Sequence, residues 1–128
     1  MAGVLHKDGR VLIMRRAPFL SWAGSWEFPG GKLEQGESNE ECLARELYEE
    51  LGIHAKIGAL ITRNSHPYDF GMVHLFVYEV ISWTGEITLT VHDDMRWLPF
   101  EELERFPGLL PADLPVARYL KEWIKQVR

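Results

Sequence analysis

At 128 residues the chain has the length of one domain with a sizeable core, and 46% hydrophobic against 26% charged residues is ordinary for a globular protein. A net charge of −5 argues against non-specific nucleic-acid binding and implies that anionic phosphates would be met through a locally recruited cation. Cys42 is the single cysteine, which excludes an internal disulfide and a Cys-based zinc site; no apolar run reaches membrane-spanning length and no signal-peptide core opens the chain, so a cytoplasmic location without membrane association is expected.

Residues 1–6 and 11–16 are predicted to form a hairpin around Lys7-Asp8-Gly9-Arg10, because Asp-Gly is a strong turn signal. A Gly/Pro/aromatic loop then leads into WEFPGGK, residues 26–32, and on to a helix. Ser38 followed by Glu41 is a capping box, which starts that helix near Asn39. Leu43, Leu47 and Leu51 mark its buried stripe, and Gly52 suits the left-handed position just past its end. Residues 53–62 read as a strand and 64–71 as a loop containing Pro67. Residues 72–83 read as a long apolar strand, turned at Thr84-Gly85-Glu86 towards a strand over 87–90, and 96–99 as a last short strand. Two helices follow, one over 100–105 and one from near Leu114 with Pro115 in its first turn. The second carries Val116, Tyr119, Leu120, Trp123, Ile124 and Val127 as the stripe expected to pack on the sheet. This order implies an α/β fold with a mixed sheet between helices.

The first helix carries chemistry. Glu46 lies three residues before Glu49 and four before Glu50, so their carboxylates share one face. Like charges so spaced repel, and a hard divalent cation is the natural compensation, since Mg²⁺ prefers carboxylate and water oxygens. A solvated acidic face is the plain alternative. Arg45, four residues before Glu49, either orients that carboxylate or forms an ordinary surface pair. Glu37, just before the cap, either ligates metal or stabilises the helix N-terminus through its dipole.

These residues also stand in an ordered frame: Gly, five residues, Glu, seven residues, Arg-Glu, apolar, any, Glu-Glu, any, Gly, apolar. Gly31, Glu37, Arg45, Glu46, Leu47, Glu49, Glu50, Gly52 and Ile53 fill it without a departure. At ordinary residue usage a chance match is on the order of 10⁻⁷. The run resembles the Nudix box, the defining motif of the Nudix hydrolases. That resemblance implies a single domain over 1–128 folded as an α/β/α sandwich with a mixed sheet. It implies hydrolysis of a nucleoside diphosphate linked to another group, with Mg²⁺, or Mn²⁺ in its place, held by Glu46, Glu49 and Glu50. The partner is a small-molecule nucleotide, and the chain is expected to be a monomer or homodimer.

WEFPGGK resembles the MutT-type triphosphate pyrophosphohydrolases, and three further assignments follow from that likeness. The Gly31 backbone and Lys32 would join the metal and phosphate site, Phe28 would line the base pocket or serve as a core aromatic, and Arg16 would meet substrate phosphate. Arg15, on the opposite strand face, is then the solvated neighbour. HDDMRW, residues 92–97, resembles the late loop that supplies a further acidic ligand or base, with Asp94 first, Asp93 second, and a polar turn as the alternative. The general base is Glu46 or Asp94.

LPADLP, residues 110–115, resembles the element whose polar side chain reads the base. Asp113 stands where 8-oxoguanine readers tend to carry Asn; ionised it would only accept hydrogen bonds, protonated and buried it would also donate, and it equally suits the N-cap of the last helix. Nucleotide-pool sanitising with 8-oxo-dGTP is the first expectation. A CTP, dCTP or modified-cytidine pyrophosphatase is the nearer competitor, an ADP-ribose or sugar-nucleotide hydrolase the third, and a nucleotide-binding regulatory domain the non-enzymatic alternative.

Overall fold

A computed structural model of the chain describes residues 1–127. The hairpin pairs β1 (Ala2–Lys7) with β2 (Arg10–Arg16), and its turn narrows to Asp8-Gly9, both at positive φ (53° and 75°). Left-handed conformation at both central residues matches the right-handed twist of the flanking strands, which is why Asp-Gly suits the position. The segment Trp26–Glu27, which opens WEFPGGK, forms a short strand β3 against β2. The first helix, α1 (Asn39–Leu51), has the expected capping box. Ser38 Oγ accepts from the Glu41 amide at 3.1 Å, and Glu41 Oε1 accepts from the Ser38 amide at 2.8 Å. Gly52 closes the helix at φ 73°, donating to the Tyr48 carbonyl. Ser38→Ala is therefore expected to lower stability by about 1 kcal/mol, read as a melting temperature a few degrees lower in a thermal CD scan.

Three sequence expectations need correction. Residues 64–68 are strand, not loop: β4 runs His54–Tyr68 and pairs antiparallel with β5 (Gly71–Thr84) up to Tyr68 opposite Gly71. Pro67 fits because β4 is the edge of the sheet, where one missing N–H is tolerated. Residues 87–90 are not a strand. Thr88 donates from its amide (2.9 Å) and hydroxyl (3.3 Å) to the Leu51 carbonyl, and Thr90 Oγ1 donates to the Glu50 carbonyl at 3.0 Å. The segment thus satisfies the end of α1, whose last carbonyls lack helical partners. The final strand, β6 (His92–Pro99), begins four residues earlier than expected, because β2 offers a partner along its whole length from Arg10 opposite Pro99 to Arg16 opposite His92.

Beyond β6 come α2 (Phe100–Leu103), a 3₁₀ turn over Pro111–Asp113 and α3 (Leu114–Val127). Val116, Leu120 and Ile124 of the expected stripe are buried, joined by Ala117. Tyr119 and Val127 instead stand about half exposed, at 47% and 49%.

The sheet runs β3-β2-β1-β5-β4, with β6 also paired to β2; β1 and β5 are parallel, making it mixed. Strand alternation feeds two cores. Val4, Val11 and Ile13 face α2 and α3, packing with Phe100, Leu103, Val116 and Leu120, while Leu5, Leu12 and Met14 face α1, packing with Leu43, Leu47 and Leu51. Helices on both faces of a mixed sheet make the expected α/β/α sandwich. Among the described residues no helix is long and apolar enough to cross a membrane.

Candidate active site

Where α1 meets the WEFPGGK segment, Arg45 lies at the centre of the acidic residues. Its Nε is 2.6 Å from Glu37 Oε2 and its Nη2 is 3.0 Å from Glu37 Oε1. Its Nη1 is 2.9 Å from Glu46 Oε1 and 3.2 Å from Glu49 Oε2, and Nη2 also donates to the Lys32 carbonyl at 3.2 Å. The guanidinium's planar fork suits such multiple contacts. Glu37 also accepts from the Glu34 amide. The Arg45 ion pair, with that amide, holds the Glu37 carboxyl down to about 2, and Arg45 is itself pushed further towards its charged form.

Glu46 packs directly on Gly31, where any Cβ would fall inside the Glu46 carboxyl. The Gly31 amide donates to the Met1 carbonyl at 3.0 Å, and its carbonyl accepts from the Met1 amine at 2.6 Å. Glu50 is half-buried, and burial, with the nearby charges of Glu46 and Glu27, raises its carboxyl to about 7 against the opposing pull of His92 and Arg16. Among the described residues no three His, Cys, Asp or Glu side chains are gathered closely enough to hold a metal ion. The arrangement is an open acidic face with Arg45 drawn across part of it.

The remaining predicted residues are distributed around this face. Arg16 is bound by Glu27 and by the Ser21 carbonyl. Phe28 is 4% exposed and belongs to the core beneath α3. Asp94 accepts from the Met95 amide at 2.8 Å, whereas Asp93 pairs with Arg15 at 2.7 Å. Asp113 lies within the 3₁₀ turn, 5% exposed. Burial raises its carboxyl well above the usual range, Glu27 adding to the effect and the Phe28 amide, which donates to it, opposing.

Several residues of this region escaped the sequence reading. Tyr68 Oη accepts from the Ala112 amide and Asn64 Nδ2 donates to the Ala112 carbonyl, both at 3.0 Å, so the end of β4 fixes the turn that carries Asp113. Phe70, 74% exposed, stacks on Tyr68 at 5.3 Å, and Trp22, 50% exposed, meets Tyr68 edge-on at 5.5 Å. Glu27 and His92 form a third, part-buried hydrogen bond. These groups meet across 44 to 65 residues of sequence, which local spacing does not register.

An α/β/α sandwich with Arg-Glu and paired glutamates at the end of its first helix defines a family. The NUDIX domain model matches residues 1–124, and the chain belongs to the Nudix hydrolases. It is 35% identical over 116 residues to the CTP pyrophosphohydrolase of Escherichia coli K12, covering 91% of this chain and 85% of that protein. It is 32% identical over 120 residues to the 8-oxo-dGTP diphosphatase of the same strain, covering 92% and 91%. The solution structure of the E. coli ORF135 protein superposes with a TM-score of 0.86 at 33% identity, covering 99% of this chain and 89% of that one.

Proposed function

We propose that this enzyme hydrolyses a nucleoside triphosphate to the monophosphate and pyrophosphate with Mg²⁺, Mn²⁺ being the alternative ion. The observation that carries the proposal is the unbalanced charge on α1. Among the described residues Arg45 is the one side-chain cation paired with Glu37, Glu46 and Glu49, while at half-buried Glu50 ionisation is opposed first by burial and then by the charges of Glu46 and Glu27. A divalent cation relieves that imbalance, and an open acidic face suits an ion that keeps several waters. Glu46, Glu49 and Glu50 would hold it, with Asp94 as the further acid, and the Gly31 carbonyl would join them only on giving up the Met1 amine that it binds at 2.6 Å. Bound there, Mg²⁺ would lower the pKa of the attacking water and neutralise charge developing on the phosphates. Lys32 and Arg16 bind the phosphate chain. Glu46 or Asp94 would take the proton of the attacking water, Glu46 being held by Arg45 at 2.9 Å and Asp94 by the Met95 amide at 2.8 Å.

Base recognition is assigned to Asp113, with the Phe28 wall beneath it and Tyr68 beside it. Burial favours the neutral carboxylic acid, which donates from O–H and accepts at C=O, as an Asn side chain does. This supports the 8-oxo-dGTP reading, since the Asp then meets the demand that Asn meets in 8-oxoguanine readers. The likeness to a CTP pyrophosphohydrolase supports a second reading, in which the same donor–acceptor pair meets cytosine N3 and N4. The test is a pyrophosphate-release panel with Mg²⁺, comparing kcat/KM for 8-oxo-dGTP, dGTP, CTP, dCTP, 5-methyl-dCTP and ADP-ribose. Preference for 8-oxo-dGTP over dGTP is expected, and CTP in the lead selects the second reading. Turnover led by ADP-ribose, or nucleotide binding without turnover, overturns the triphosphate assignment.

Asp113 also makes a stability prediction. Its folded pKa is raised, so the folded state is penalised as pH climbs from the unfolded value, near 3.9, towards the folded one. Asp113→Asn is neutral at all pH and keeps an acceptor for the Phe28 amide. Its melting temperature is expected to match the parent at pH 3.5 and to exceed it increasingly as pH rises to 8, measured by scanning calorimetry. A variant less stable than the parent at pH 8 contradicts a neutral, buried Asp113.

A further inference from the structure

Glu27, Arg16 and His92 form a charged cluster outside the Nudix motif. They lie on β3, at the end of β2 and at the start of β6, with β2 between the other two strands. Glu27 Oε2 is 2.9 Å from His92 Nε2, and both Glu27 oxygens are 3.2 Å from Arg16 Nη1. On its other side Arg16 Nε donates to the Ser21 carbonyl at 2.8 Å. Two of the three guanidinium nitrogens are therefore engaged, and Nη2 makes no hydrogen bond among the described residues. The cluster adjoins the acidic helix through the backbone: Thr90 binds the Glu50 carbonyl, and the Ala17 amide donates to the Val91 carbonyl beside the Arg16–His92 pair.

Two features of the cluster call for a role. The His92 side chain is 1% exposed, and its Nδ1 is buried with no hydrogen-bond partner, a cost to the fold. Its Nε2–H bond to Glu27 is what that cost secures. Glu27 is itself a carboxylate beside a site for a polyanion, where it repels the substrate unless it performs a task there.

We propose that Glu27 is a positioning residue for phosphate binding, held by His92 so that, with the Ser21 carbonyl, it presents Arg16 Nη2 to the triphosphate. Gripping the guanidinium at Nε and Nη1 removes its rotamer freedom during folding, so that freedom is not lost again on binding. The inference rests on the assignment of Arg16 to substrate phosphate.

The test is a double-mutant cycle with Glu27→Gln and Arg16→Lys, reading KM and kcat for the preferred triphosphate. Glu27→Gln is expected to raise KM about tenfold with a smaller change in kcat, and to add nothing further in the Arg16→Lys background. A passive carboxylate gives the opposite sign, because removing its charge relieves repulsion and lowers KM. A purely structural one lowers the melting temperature without moving KM. Either result, or additivity in the cycle, overturns the proposal while leaving the Arg16 assignment intact. If Arg16→Lys alone leaves KM unchanged, the Arg16 assignment fails and the proposal with it. A measurement on the unsubstituted protein tests it independently of variant folding. The Arg16 Nε–Hε NMR signal should be protected from exchange before ligand is added and shift with inorganic pyrophosphate and Mg²⁺; rapid exchange in the free protein overturns the proposal.

Discussion

Glu49→Gln is expected to lower kcat about 10³-fold at saturating Mg²⁺, roughly 4 kcal/mol of transition-state stabilisation, with little change in melting temperature. Glu49 is 52% exposed on the last turns of α1, and among the described residues its side-chain hydrogen bonds are those with Arg45 at 3.2 and 3.3 Å. Its removal therefore disturbs no core packing, and an exposed pair of this kind contributes at most about 1 kcal/mol. The charge, in contrast, is one of those offered to the cation, and Gln keeps the size while removing it. Near-normal turnover by a folded Glu49→Gln protein would contradict the metal-clamp reading of α1. Gel filtration and CD would establish that the variant is folded before kcat is compared.

Gly31→Ala is expected to separate activity from stability. A Cβ at this position would fall inside the Glu46 carboxyl, and its three nearest neighbours are all atoms of the Glu46 side chain. That side chain is mostly buried, at 16% exposure, but it is long and unbranched, so it can swing away at small cost to the fold. Swinging moves the carboxylate away from Arg45 Nη1, now 2.9 Å distant. Displacement of a catalytic group by about 1 Å typically costs about 10²-fold. The variant should therefore melt within a few degrees of the parent yet lose about 10²-fold in kcat. A loss of stability large enough to explain the activity change, or retention of full kcat, would show that close approach at Gly31 is not what positions Glu46.

The acidic helix was readable because its determinants are local. Ser38, Glu41 and Gly52 define its ends through backbone groups within a few residues, and the spacing of Glu46, Glu49 and Glu50 follows from the helical repeat. The hairpin was readable for the same reason at Asp8-Gly9. Residues 64–68 and 87–90 were misread because their states depend on partners distant in sequence. Strand β4 continues through Pro67 because it has an edge position and a partner in β5, and Thr88 and Thr90 leave the sheet to bind the carbonyls that end α1. Phe28 shows the same limit within the site: WEFPGGK marks its neighbourhood, but only packing places its ring in the core beneath α3.

The sequence by itself determined the family and the helix that bears the glutamates, because periodicity and capping operate within a dozen residues. The tertiary structure decided which charges beyond helical neighbours meet. It brought Glu37 onto Arg45, buried Asp113 against the Phe28 amide, and joined Glu27 to His92 across the sheet. The strength and protonation of such contacts depend on burial and on distances of a few ångströms, and strand pairing sets both.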